Sequence, residues 1–156
     1  MDRRRLLLLT VCALLVADAS ARSILSSGGS ATDPDAYDHK LSFIDAMAGT
    51  TVAWTVDEKA QNMTFMITGK SNGWLGMGLS PNGAMSGADI VVMWIDSNGQ
   101  SQISDRHGPT DMANGYPPHD EQQDYSVVSA ARDGDTLTFV VTRASDTCDE
   151  YDWAVG

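Results

Sequence analysis

Large apolar residues recur at every second position through much of this chain, and each such run ends in glycine, asparagine, aspartate or serine. Thr51 to Asp57 alternates with Val52, Trp54 and Val56 on one face, and Asn62 to Thr68 does the same with Met63, Phe65 and Ile67. A period of two is the signature of a strand with one packed face. Leu75, Met77 and Leu79 alternate with Gly76 and Gly78, which predicts a strand with large side chains on one face and bare backbone on the other. From Ile90 to Ile95 the run is apolar without a break, which suits a central strand covered on both sides. Asp89 opens that strand and Asp96 closes it. Leu41 to Met47, Gln100 to Asp105, Asp124 to Ala131 and Thr136 to Thr142 complete the set, with hairpin turns at Ser97 to Gly99 and at Asp133 and Gly134. Short strands at this spacing, with no amphipathic helix between them, predict an all-β fold, an antiparallel β-sandwich.

The two ends differ from this pattern. Arg3 to Arg5 precede an apolar run from Leu6 to Val16 and then small residues, the pattern of a secretory signal peptide over 1–21. That run is too short to span a bilayer, which takes roughly 20 apolar residues. The chain therefore reads as exported to the secretory lumen or beyond, with no membrane span. Residues 22–40, rich in Ser, Gly, Asp and Ala, read as a flexible leader, and 41–156 as one domain. The last segment, Thr147 to Gly156, lacks a polar tail and predicts that the sandwich continues in one or more further strands.

Charge and cysteines narrow the partners. The chain holds 10 basic and 21 acidic residues, a formal net charge of −11, and loss of 1–21 removes three arginines against two aspartates. Such a surface repels nucleic acid and anionic membrane. Cys12 leaves with the signal peptide, so Cys148 has no partner within the mature chain. In an oxidising compartment an odd cysteine suggests pairing with another subunit or with a continuation of the chain. A buried free thiol is the plain alternative. Asn62 begins an N-M-T sequon, and the strand parity sends it and Thr64 outward, where a glycan belongs.

For catalysis the residues offer little: no Gly-x-Ser-x-Gly elbow, no His-Glu-x-x-His helix, no Cys-x-x-Cys pair and no phosphate-binding glycine loop beside a lysine. His107 and His119 share a long irregular connection and read as solvated, as does His39 in the leader. Carboxylates at strand ends fare better. Asp89, Asp105 and Asp124 fall where strands begin or end, and strand ends gather at one edge of a sandwich. A hard cation such as calcium takes six to eight oxygens at about 2.3–2.6 Å, mixing carboxylates with carbonyls. On spacing alone, three solvated turn aspartates are the favoured reading.

Several motifs in one order add to this reading: W-L-G-M-G-L-S from Trp74, G-A-M-S-G-A-D-I-V-V-M-W from Gly83, I-S-D-R from Ile103, H-D-E-Q-Q-D-Y from His119 and D-T-C-D from Asp146. Together they resemble the DOMON domain at the N-terminus of dopamine beta-monooxygenase and its relatives, over about residues 41 to 155. The resemblance implies a secreted immunoglobulin-like sandwich, non-catalytic by itself, that serves as an accessory or interaction module in a copper monooxygenase. It implies a structural, calcium-like cation held by Asp89, the carbonyls of Ile90 and Arg106, and Asp124. It implies that the copper belongs to later domains of a longer parent, and that Cys148 forms a disulfide with one of them or with another subunit. A second branch of the family holds haem b through a methionine in the G-x-M turn. Met85 stands there, while the expected histidine falls beyond Gly156, and packing against the sandwich edge explains Met85 as well. A free-standing sugar- or ligand-binding module is a third reading.

Overall fold

A computed structural model describes residues 9–10, 31–43, 49–109 and 116–155. Most of the signal peptide expected over 1–21 and the first part of the leader, 22–30, lie outside the described residues, as do most of the expected strand at 41–47 and the middle of the connection after His107. The strands are β1 (Leu9–Thr10), β2 (His39–Ser42), β3 (Thr51–Asp57), β4 (Asn62–Lys70), β5 (Trp74–Leu79), β6 (Asp89–Ile95), β7 (Ser101–His107), β8 (Ser126–Asp133) and β9 (Thr136–Ala144). They form two antiparallel sheets. One runs β2-β3-β4-β9-β8, and the other is β5-β6-β7 with the two-residue β1 added at the β5 edge. The predicted antiparallel sandwich is the observed fold.

Its core is built from the alternating positions. Val52, Trp54, Met63, Phe65, Ile67, Leu137, Phe139 and Val141 face across the gap to Leu75, Met77, Leu79, Val91 and Met93. Full burial of each such side chain is worth about 1.5–3 kcal/mol, which holds the sheets face to face. A smaller cluster of Ala53, Met66 and Val140 lies on the outer face of the five-stranded sheet, with Tyr37 packed against it. The Tyr37 hydroxyl donates to the Ala31 carbonyl at 2.6 Å, and a 3-10 turn at Pro34–Ala36 leads into β2. Residues 31 to 40 are thus folded onto the sandwich in this structure, and His39 stacks on Trp54 instead of standing free in solvent.

Two strands depart from their sequence reading. β6 is central, as expected, but its outward residues Ile90, Val92 and Trp94 are only half-buried. Its unbroken hydrophobicity reflects one packed face and one partly open one. β7 runs on to His107, so Asp105 lies inside the strand and not at its end. The loop from Ser80 to Ala88 is closed onto the end of β7. The Gly87 N–H donates to the Gly108 carbonyl, and the Gly108 N–H donates to the Ala88 carbonyl, both at 2.7 Å. A Cβ on Gly108 would overlap the Met85 carbonyl, so only glycine permits this approach.

Candidate cation site

Strand parity that fills the core also points charges into it at one end. Asp89 opens β6 on the face that carries Val91 and Met93, and is wholly buried. Arg143 follows Leu137, Phe139 and Val141 at alternate positions of β9 in the opposite sheet, and its side chain is also fully buried. The two meet across the gap, Arg143 Nη1 donating to Asp89 Oδ2. The Tyr125 hydroxyl, just before β8, donates to Asp89 Oδ1 at 3.2 Å. Asp105 sits beside Asp89 because β7 pairs Asp105 with Val91 and His107 with Asp89. Its Oδ1 accepts from the Arg106 N–H and its Oδ2 from the Asp124 N–H, each at 3.0 Å.

A third carboxylate arrives from the C-terminal segment. Asp152 turns inward with a side chain only 2% exposed, and its Oδ2 lies 3.5 Å from Arg143 Nη1. Asp89, Asp105 and Asp152 each offer an oxygen to one group in which all lie within 4.8 Å of one another. Three carboxylates against one guanidinium leave the group two negative charges short of neutrality. Desolvation is the leading cause that raises the Asp89 carboxyl to about 7, with Arg143 pulling the other way. Desolvation raises Asp105 to about 8, opposed by the Asp124 N–H and helped by the charges of Asp89, Asp152 and Asp120. Asp152 is raised too, again mainly by burial. One carboxylate oxygen, Asp152 Oδ1, is buried with no hydrogen-bond partner. A surplus of buried negative charge with an orphaned oxygen is the environment a hard divalent cation fits.

The four residues selected from sequence are placed as follows. Asp89 is at the centre. Ile90 and Arg106 are direct partners in the β6–β7 ladder. Asp124 is tied to the site through its backbone, while both of its carboxylate oxygens accept from the Gln122 side-chain amide at 3.0 Å. Its side chain is therefore not in the three-carboxylate group, and Asp105 and Asp152 are. Asp105 was one of three candidates on spacing. Asp152, Arg143 and Tyr125 were not selected, and only Arg143 carried a signal: a charged residue ending an inward alternation, as it does after Val141, predicts an opposite charge across the gap.

The remaining candidates lie outside the three-carboxylate group. Met85 is 40% exposed on the 80–88 loop. His107 is engaged with Asp120 through Nδ1 and stacks on Tyr151 with ring centres 4.0 Å apart. His119 uses both ring nitrogens, Nδ1 with the Ser104 hydroxyl at 3.0 Å and Nε2 with Arg106 Nη2 at 2.7 Å. Neither histidine is simply solvated. Asn62 begins β4, and its Oδ1 accepts from the Met63 N–H and the Thr142 hydroxyl. Cys148 is an exposed free thiol. No helix among the described residues is long and apolar enough to cross a membrane.

Fold and site define a class, a two-sheet antiparallel sandwich with an acidic centre closed into one end. The DOMON domain family model matches residues 48–155, and the chain belongs to that family. Its curated relatives include MOXD1 homolog 1 of Drosophila melanogaster, 28% identical over 110 residues, which are 70% of this chain and 16% of the fly protein. DBH-like monooxygenase protein 1 of Homo sapiens is 29% identical over 119 residues, 76% of this chain and 18% of the human protein. Dopamine beta-hydroxylase of Bos taurus is 25% identical over 116 residues, 72% of this chain and 18% of the bovine protein. The chain thus spans less than a quarter of the length of these relatives.

Proposed function

We propose that this chain is a secreted, non-catalytic DOMON module that stabilises itself around a calcium-like cation, and that it serves as the accessory domain of a copper monooxygenase of the dopamine beta-hydroxylase type. The observation that carries the cation is the charge imbalance around Asp89: three buried carboxylates, one guanidinium, and an orphaned oxygen on Asp152. A bound divalent ion supplies the missing charge and ties β6, β7 and the segment before β8 together. Asp89 anchors it, the Ile90 and Arg106 carbonyls are the backbone donors, and Asp124 reaches it after releasing Gln122. The accessory role is supported by the names of the relatives and by the small share of their length that this chain matches. Copper and the oxidation chemistry then reside in further domains of a parent polypeptide, and the exposed Cys148 is the residue that bridges to them. Export rests on the Arg3 to Val16 pattern, and a glycan on Asn62 would accompany it. No comparable observation favours haem. Met85 is surface-exposed, and the histidines at this end of the sandwich are held by Asp120, Ser104 and Arg106.

The test is thermal unfolding of the purified chain in calcium chloride and in chelator. Calcium should raise Tm, and a concentration of 100 times Kd is worth about 2.7 kcal/mol. Asp89→Ala should abolish the shift. Identical curves with and without calcium would end the cation reading.

A further inference from the structure

The segment after β9 has no strand of its own, yet it lies closed over the acidic end. Val155 packs against the core at its far end, and its other attachments are few and mostly made by side chains. Arg143 Nη2 donates to the Trp153 carbonyl at 2.9 Å, the Trp153 indole N–H donates to the Gly87 carbonyl at 2.8 Å, and Gln122 donates to the Thr147 carbonyl at 3.1 Å. Tyr151 rests on the His107 ring, and the Val155 N–H donates to the Ser145 carbonyl. Segments with so little backbone pairing open at low free-energy cost.

Asp152 is the anomaly within it. Its neighbours Tyr151 and Trp153 are 47% and 44% exposed, while the Asp152 side chain is driven to 2%. Oδ2 accepts from the Thr147 hydroxyl at 2.8 Å, but Oδ1 has no partner. Arg143 compensates it only in part, since its Nη1 lies 3.5 Å from Oδ2 while it donates to Asp89 and to the Tyr125 hydroxyl, and Oδ1 stays without a donor. A buried ionised oxygen left without a partner is strongly unfavourable. A flexible segment that turns a carboxylate inward at such a cost needs something there to receive it.

We infer that Asp152 is a cation ligand delivered by the segment Thr147–Val155, and that a hard divalent cation shared by Asp89, Asp105 and Asp152 latches this segment as a strap over the end of the sandwich. The inference rests on the cation reading above and extends it. Asp105 is a candidate on spacing but not in the ligand set that the resemblance implies, Asp152 is in neither, and the latch makes the position of Tyr151, Trp153 and Cys148 depend on the ion. With the cation bound the strap is closed. Without it, three carboxylates repel one another and the strap, having few bonds of its own, is the element that yields.

Hydrogen–deuterium exchange of the intact chain, in about 1 mM calcium chloride and in chelator, reads the strap directly. Calcium should slow exchange over 147–155 by about tenfold or more, and calorimetry should show one calcium site. Asp152→Asn, close to isosteric, should remove the slowing and weaken calcium binding by about tenfold or more. Thr147→Val should remove part of the slowing by freeing Asp152 to rotate, and Thr147→Ser should restore it. If calcium binds the wild type and Asp152→Asn equally and raises Tm in both, with strap exchange unchanged, the latch is overturned while the cation reading stands. If the wild type neither binds calcium nor shifts in Tm, both are overturned.

Discussion

Replacing Arg143 with Met removes the one positive charge from the buried end of the sandwich while keeping the length of the side chain. Four acceptors lose their donor: Asp89 Oδ2, the Tyr125 hydroxyl oxygen, and the carbonyls of Ala144 and Trp153. Breaking a buried ion pair by removing one partner costs about 3–5 kcal/mol, because the other charge stays behind unpaired. The Trp153 carbonyl bond adds about 0.5–1.5 kcal/mol if no water replaces it. A loss near 4 kcal/mol is a large share of the roughly 5–15 kcal/mol that holds a domain of this size folded. At about 3–5 °C per kcal/mol, Tm should fall by about 12–20 °C. The same substitution takes the net charge of the cluster from two negative to three. Calcium should therefore recover more Tm in Arg143→Met than in the wild type. Differential scanning calorimetry with calcium and with chelator measures both quantities. A Tm loss under about 3 °C in chelator, or a calcium shift smaller than that of the wild type, would refute the charge accounting on which the site rests.

Gly108→Ala should lower Tm by about 5–10 °C, the overpacking cost of about 1–3 kcal/mol, because the new methyl overlaps the Met85 carbonyl and pushes the 80–88 loop off β7; Gly73→Ala, which meets open space, should leave Tm within about 2 °C. Stability in chelator should decline as pH rises from about 4 to about 8. Asp89 and Asp105 hold their protons up to about 7 and about 8 when folded but only to 3.8 when unfolded, so the folded chain binds more protons in that window, and the stability they contribute is complete below pH 4 and lost through the folded values. Saturating calcium keeps both carboxylates ionised, so the calcium-induced Tm shift should grow from pH 5.5 to pH 8.5. A shift that shrinks over this range contradicts the assignment of these two groups.

The alternation of large apolar residues made the sandwich legible, since a one-residue slip in β3, β4, β5 or β9 would turn Val52, Phe65, Met77 or Phe139 out of the core. Asp89 was legible as a carboxylate at a strand end, and in the structure it shares its face with Val91 and Met93. Local signals could not say what Asp89 would meet. Arg143 is 54 residues away in the chain, and Asp152 lies beyond every strand, in a segment whose place depends on side-chain contacts and not on periodicity. Asp124 shows the reverse. Its position next to Tyr125 brings its backbone to Asp105, but a neighbouring glutamine amide takes its carboxylate, a competition that spacing does not reveal. The described part of the leader, 31–40, misled for a simpler reason. Its composition is that of a loop, yet one tyrosine, Tyr37, finds an apolar patch on the outer face of the sheet and fixes the residues around it.

A sandwich end closed by apolar residues would be the more stable solution, since a buried ion pair seldom repays its desolvation against well-packed hydrophobic groups of the same volume. Here the end is closed instead by a guanidinium and three carboxylates that do not balance. Such an arrangement makes closure conditional: the charges tolerate one another fully only when a cation, or protons on Asp89 and Asp105, neutralise them. The residues made conditional are those of the strap, which carries an exposed cysteine and two exposed aromatic rings. On the proposed latch, the exposed cysteine and rings of this strap are the surface whose position changes when the charges beneath it are neutralised.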